Sequence, residues 1–232
     1  MDIEGSVALV TGANRGLGRH FAEQLRDRGA TVYAAARNPE AVDLAGVTPI
    51  ALDVTDLDSI ARAAEVTVDV TLLINNAGTL TGASLLSGPL ADIRTEMETH
   101  YFGTLNVIRA FAPQLALSGD SAVLNVLSVL SWLSSPSMGA YSAAKSAEWS
   151  LTNALRQELA AQGTRVTSLH VGYMNTDMAR GVDAPKSDPA AVARFALDGL
   201  AAGRAELLAD EISHQVIAGL AGGVGALYPA FA

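Results

Sequence analysis

The feature that most limits what this chain can fold into is a repeated alternation. Short apolar, β-branched runs take turns with longer segments of helical pattern. The first run is VALVT, residues 7–11. It leads at once into GLGRHFAEQLRDRGA, where Phe21 and Leu25 mark an apolar face and Gly29 is placed to end a helix. Further strand-like runs cover residues 31–36, 47–54, 70–78, 121–128, 164–171 and, as a short seventh, 205–210. Helical patterns lie between them, at about 56–65, 89–117, 140–162 and 188–202. Strands that are apolar on both faces and separated by helices require a parallel sheet covered on both sides. Each crossover should then be right-handed. The expected fold class is therefore α/β: a doubly wound parallel β-sheet of about seven strands with helices on both faces.

No internal repeat and no linker-like shift in composition divides the 232 residues, so residues 1–232 are read as a single domain. The interval ARGVDAPKSDP, residues 179–189, is expected to be a mobile substrate loop. The uncharged, glycine-rich end, AGLAGGVGALYPAFA, is either a frayed tail or a segment buried at a subunit interface or over the active site.

Composition narrows the function. Half the residues are hydrophobic and 17% are charged, which suits a globular core. The net charge of -9 argues against nucleic acid and against anionic membrane, because phosphate neutralisation needs clustered Lys and Arg. With no cysteine, disulfides, thiol catalysis and Cys-ligated zinc are excluded. That suits a reducing compartment, and a cytoplasmic location is expected. The N-terminus lacks the pattern of a signal peptide, and no apolar run is long and pure enough to span a bilayer. No His or carboxylate cluster has metal-ligand spacing, so no metal is expected.

The stretch TGANRGLG follows the first strand and opens the first helix. Its glycines allow a sharp turn and close approach of backbone to a pyrophosphate, whose charge sits at the helix N-terminus. Gly12, Asn14, Arg15, Gly16, Leu17 and Gly18 are the candidate contacts. The second strand ends without an acid at Ala36 and with a cation at Arg37. Two guanidinium groups, Arg15 and Arg37, favour a 2'-phosphate through bidentate charged hydrogen bonds. NADP(H) is therefore preferred, with NAD(H) possible. Asp53 and Val54, after the third strand, are placed to edge the adenine.

Tyr141 and Lys145 are four apart, within YSAAK, and would share one helix face. A free tyrosine has a pKa near 10. An adjacent ammonium favours the phenolate and lowers that value. Such a pair can exchange a proton with substrate.

TGANRGLG, NNAG at 75–78, Ser128 and YSAAK occur in that order, with the serine thirteen residues before the tyrosine. In this combination the chain resembles the short-chain dehydrogenase/reductase family over residues 5 to about 180. The resemblance implies a Rossmann-type sheet, a nicotinamide cofactor, and Ser128, Tyr141 and Lys145 as the catalytic core. Ser128, at the end of the fifth strand, would hydrogen-bond the developing oxyanion. The resemblance further implies cofactor contacts from Asn76, Ala77, Gly78, Tyr141, Lys145 and Thr176, and assembly as homodimer or homotetramer through the helices near 89–117 and 140–162. The chain departs from the family at three places. His100 stands at the family's usual asparagine and is carried as a candidate relay residue. Leu127 replaces the first of two serines. Val171 replaces a proline before Gly172, which remains a candidate cofactor contact.

The expected function is NADP(H)-dependent interconversion of a carbonyl and an alcohol by hydride transfer, with Tyr141 as general acid and base. The alternative is a catalytically silent cofactor-binding sensor or scaffold of the same fold. Trp132, Leu133, Met138, Tyr173, Met174 and Met178 are placed near an apolar substrate.

Overall fold

The computed structural model describes residues 1–229. Seven parallel strands form one sheet in the order β3-β2-β1-β4-β5-β6-β7. They are β1 (Val7–Thr11), β2 (Thr31–Ala36), β3 (Thr48–Ala51), β4 (Leu72–Asn75), β5 (Ser121–Val126), β6 (Thr164–His170) and β7 (Glu206–Leu208). The chain winds outward from β1 to β3, returns to pair β4 with β1, and then winds outward the other way. The strand order reverses between β1 and β4, and open α/β sheets bind ligands in the crevice beyond the strand ends at such a point.

Side-chain alternation along each strand distributes the core between two layers. On one face Val10, Ile74 and Leu124 meet Phe21 and Leu25 of α1 (Gly16–Asp27) and Leu197 of α6 (Pro189–Ala201). On the other, Leu9, Leu73 and Val123 meet Ile60 of α2 (Leu57–Val66), Phe111 of α4 (Thr104–Leu117) and Leu155 of α5 (Gly139–Glu158). The expected strands are all present, but five of them end early. β3 stops at Ala51 because Asp53 turns the chain, its carboxylate accepting from the Thr55 amide and hydroxyl.

Two differences matter for the site. The single helix expected over 89–117 is α3 (Leu90–Met97), a π-helical segment Glu98–Gly103, and α4. A π segment accommodates an extra residue, and such bulges recur at functional sites. Gly103 permits the bulge to press on the turn after β3: a Cβ there would lie 3.0 Å from the Val54 side chain. The second difference is the C-terminal stretch, which carries α7 (Glu211–Gly219) and α8 (Gly223–Leu227). The Ser134 amide donates to the Tyr228 hydroxyl at 2.7 Å, and Val216 packs with Val129 and Trp132. This segment therefore covers the loop after β5, rather than fraying. Its last three residues, 230–232, lie outside the described residues.

Close packing at the first turn gives a direct test. A Cβ on Gly18 would sit 2.3 Å from the Gly12 carbonyl oxygen and 2.4 Å from Asn76 Nδ2. Gly18→Ala should cost about 1–3 kcal/mol through overpacking, a Tm decrease of roughly 3–10 °C. Gly181→Ala, where a Cβ meets only open space, should stay within about 0.5 kcal/mol of the parent. Thermal denaturation of both variants checks this, and equal Tm values would contradict it.

Candidate active site

The crevice beyond β1 and β4 is organised by Thr11 and Asn76. The Thr11 hydroxyl accepts from the amides of Asn76 (2.9 Å) and Ala77 (3.0 Å). Asn76 returns its side-chain amide to the carbonyls of Thr11 (2.9 Å) and Gly12 (3.3 Å). These bonds hold the glycine turn against the loop after β4. Gly12 adopts φ +67, a conformation that side chains rarely allow, and a Cβ there would press on Ala77 Cα at 3.0 Å. The first turn of α1 carries no side-chain cap and no acid. Its amide donors are thus left for an anion, and this donor set fits a dinucleotide pyrophosphate.

Tyr141 and Lys145 lie on one face of α5, with Lys145 Nζ 5.9 Å from the Tyr141 ring centre. Lys145 is buried and donates to the Val126 carbonyl (2.8 Å) and to Glu148 Oε2 (2.7 Å). An ammonium has three donors, so one remains for a ligand. Glu148 is also buried, and its other oxygen accepts from Thr104 Oγ1 at 2.9 Å. His100 sets the edge of its ring on Tyr141, with centroids 5.1 Å apart and planes at 89°. Its Nε2 lies 2.9 Å from the Thr79 carbonyl and 3.4 Å from the Thr79 amide nitrogen. The same nitrogen lies 3.3 Å from Glu96 Oε2, while Nδ1 lies 3.9 Å from Glu148 Oε2 and has no hydrogen-bond partner. Glu96 is fully buried and accepts from the Thr81 amide at 2.6 Å.

The electrostatics differ from those expected of a bare Tyr-Lys pair. Burial raises Tyr141 above the ordinary tyrosine value. Lys145 and a hydrogen bond with Ser128 act the other way, while the Glu148 and Glu96 carboxylates add to the rise. Burial by itself opposes the Lys145 ammonium, yet Glu148 and Tyr141 carry it above the ordinary lysine value. Glu96 is held low despite its burial, by the facing His100 imidazole and the Thr81 donors.

Ser128 follows β5, and its hydroxyl accepts from the Leu130 amide at 3.1 Å, capping the turn Val129–Ser131. The hydroxyl thus serves a turn and also meets Tyr141. Behind it, His170 is buried, with Nδ1 3.3 Å from the Ser128 carbonyl and its ring stacked on Trp132 at 3.8 Å. Trp132, placed near the substrate by sequence, is therefore a core residue. Tyr173 and Met178 are exposed on the segment after β6.

The remaining candidates lie on the segments that follow the strand ends. Gly172 donates its amide to Asp210 Oδ2 at 2.6 Å. Thr176 faces the glycine turn, its methyl 3.5 Å from where a Gly16 Cβ would lie. Arg15 reaches Asp177 at 3.4 Å, and both are largely exposed. Arg37 is exposed at the end of β2 and forms no ion pair among the described residues. Gly78 faces His100, whose Cε1 would be 2.8 Å from a Cβ there. Thr11, Glu96 and Glu148 were not singled out by sequence reasoning. Glu148 had a visible signal, an acid one turn after Lys145 on the same helix face. The described residues contain no group of three or more potential metal ligands, and none of their helices is long and apolar enough to cross a membrane.

Residues 6–187 match the family model described as short chain dehydrogenase. A short chain dehydrogenase from Burkholderia cenocepacia, solved in complex with NADP, superposes with a TM-score of 0.94 at 40% identity, covering 99% of this chain and 98% of that one. A short chain dehydrogenase/reductase from Burkholderia phymatum, in complex with NAD, gives 0.86 at 26% identity, covering 95% of each chain. The 3-oxoacyl-acyl-carrier-protein reductase FabG of Vibrio cholerae is 30% identical, across 79% of each chain. The glycine turn, the NNAG loop and the Ser128, Tyr141 and Lys145 cluster thus sit in a sheet shared with these enzymes, and the chain belongs to the short-chain dehydrogenase family of NAD(P)-dependent oxidoreductases.

Proposed function

We propose that the protein reduces a ketone or aldehyde, and oxidises the corresponding alcohol, with NADP(H) as the preferred partner. The observation that carries this reading is the convergence of Tyr141, Lys145 and Ser128 at the crevice where the sheet order reverses. The nicotinamide cofactor supplies the hydride when bound. Tyr141 gives its phenolic proton to the substrate oxygen in reduction and takes it back in oxidation. Ser128 donates to the same oxygen as charge develops there. Lys145 holds its remaining donor toward the ribose, and Asn76, Ala77 and Gly78 border the cofactor's path. The segment 179–189 closes the substrate side.

Cofactor choice rests on Arg37. Arg15 already has an acidic neighbour, whereas Arg37 forms no ion pair among the described residues and stands at the end of β2, where the adenosine ribose belongs. Support among relatives comes from the Burkholderia cenocepacia enzyme, whose structure contains NADP. The outward faces of the α3–α4 and α5 helices are read as the assembly surface of a homodimer or homotetramer, supported by Phe102, which is 42% exposed.

Tyr141→Phe should lower kcat/KM about 10²–10⁴-fold in NADPH oxidation assays with a panel of ketones and aldehydes, and leave NADPH affinity within about twofold. Turnover like the parent's would overturn the mechanism. Arg37→Ala should weaken NADPH roughly 10–100-fold, the loss of one charged hydrogen bond, and leave NADH nearly unchanged. An unchanged NADPH to NADH ratio would remove Arg37 from this role. Light scattering after gel filtration should give a dimer or tetramer mass, and a monomer would overturn the assembly reading.

A further inference from the structure

Lys145 is not a free cation. Its ammonium is paired at 2.7 Å with a carboxylate that is itself buried and fixed from behind by Thr104. Glu148 stands one helical turn beyond Lys145, on the face turned toward the site. A buried ion pair contributes little net stability, and apolar residues of similar size often replace one without loss. With Lys145 retained, the acid also keeps that buried cation from being left unpaired. Its consequence is electrostatic. A cation with its counter-ion in contact presents a dipole, and the field it projects on Tyr141 is weaker than that of an isolated ammonium.

We propose that Glu148 is a positioning residue that clamps the Lys145 ammonium, offsets its field, and so keeps Tyr141 loaded with its proton at neutral pH, the form that carbonyl reduction consumes. This role rests on the reading of Tyr141 as proton donor. The groups that face Tyr141 are Lys145 and Glu148 on α5, Glu96 on α3, His100 on the π segment and Ser128 after β5. Two of these are carboxylates and one is an obligate cation. His100 lies between the two acids, 3.3 Å from Glu96 and 3.9 Å from Glu148. The rise in the Tyr141 value from both acids has the same sign.

The test is a pH titration of tyrosinate absorbance on the ligand-free protein. The chain has five tyrosines, so subtracting the Tyr141→Phe curve isolates Tyr141. The same subtraction is made on Glu148→Gln and Glu148→Asp backgrounds. The expected midpoint for the parent lies above that of an ordinary tyrosine. Glu148→Gln should bring it down by about one pH unit, and Glu148→Asp should leave it near the parent's. The alkaline limb of kcat/KM for NADPH-dependent reduction, measured with the best carbonyl of the panel, should move down by the same amount. Equal midpoints in parent and Glu148→Gln would overturn the role. If Glu148→Gln does not fold, Glu148→Met takes its place: a midpoint below the parent's supports the role and an unmoved one overturns it. A Tyr141→Phe variant that keeps full activity would overturn the reading of Tyr141, whereas a dead Tyr141→Phe with unmoved midpoints would overturn the role of Glu148 only.

Discussion

The reciprocal bonds between Thr11 and Asn76 are the constraint on which the rest of the site depends. They join the ends of two strands that are neighbours in the sheet but far apart in the chain. With that clasp closed, the glycine turn cannot drift from the loop after β4, and α1 begins where its free amides face the crevice. Gly18 is required by the same contact, because Asn76 and the Gly12 carbonyl occupy the space a side chain would need. From this point β5 and α5 are placed by a buried polar ladder. Asn75 donates to Asn125, Asn125 to Thr152, and Thr152 to the Glu148 carbonyl. Polar groups buried this deeply are costly unless paired, so the ladder fixes one relative arrangement of strand and helix.

Much of this was legible in the sequence. Strand positions follow from apolar runs such as VALVT and LLIN, whose burial on both faces leaves no competing pattern. The turn after β1 follows from glycine placement, which is a local backbone requirement. What stayed hidden depends on contacts between distant segments. Glu96 and Glu148 look like surface acids on amphipathic helices until the fold turns both inward onto His100 and Lys145. Trp132 looks like a substrate contact until His170 from β6 stacks on it. The C-terminal helices were missed because glycines dilute their periodicity, and packing onto Val129 and Trp132 supplies what propensity lacks.

Ser128 shows how a polar residue can hold two duties. Its lone pairs cap the turn Val129–Ser131, while its own proton is left for the phenol side. Fixing the oxygen through the turn costs nothing at the moment of reaction, which is the sense in which a site is preorganised. Its carbonyl is backed by His170, so the residue is held from both ends.

The π segment between α3 and α4 has a consequence for how this scaffold can vary. Successive residues of an α-helix are offset by about 100°. The bulge therefore acts as a phase shift: upstream of it Glu96 points to the site, and downstream of it Phe111 and Leu115 point to the core. Losing a single residue from Glu98–Gly103 would rotate one half against the other and trade its buried face for a neighbouring one. The helix cannot accept a change of length along this stretch, so its site-facing and packing halves must diversify in a fixed frame.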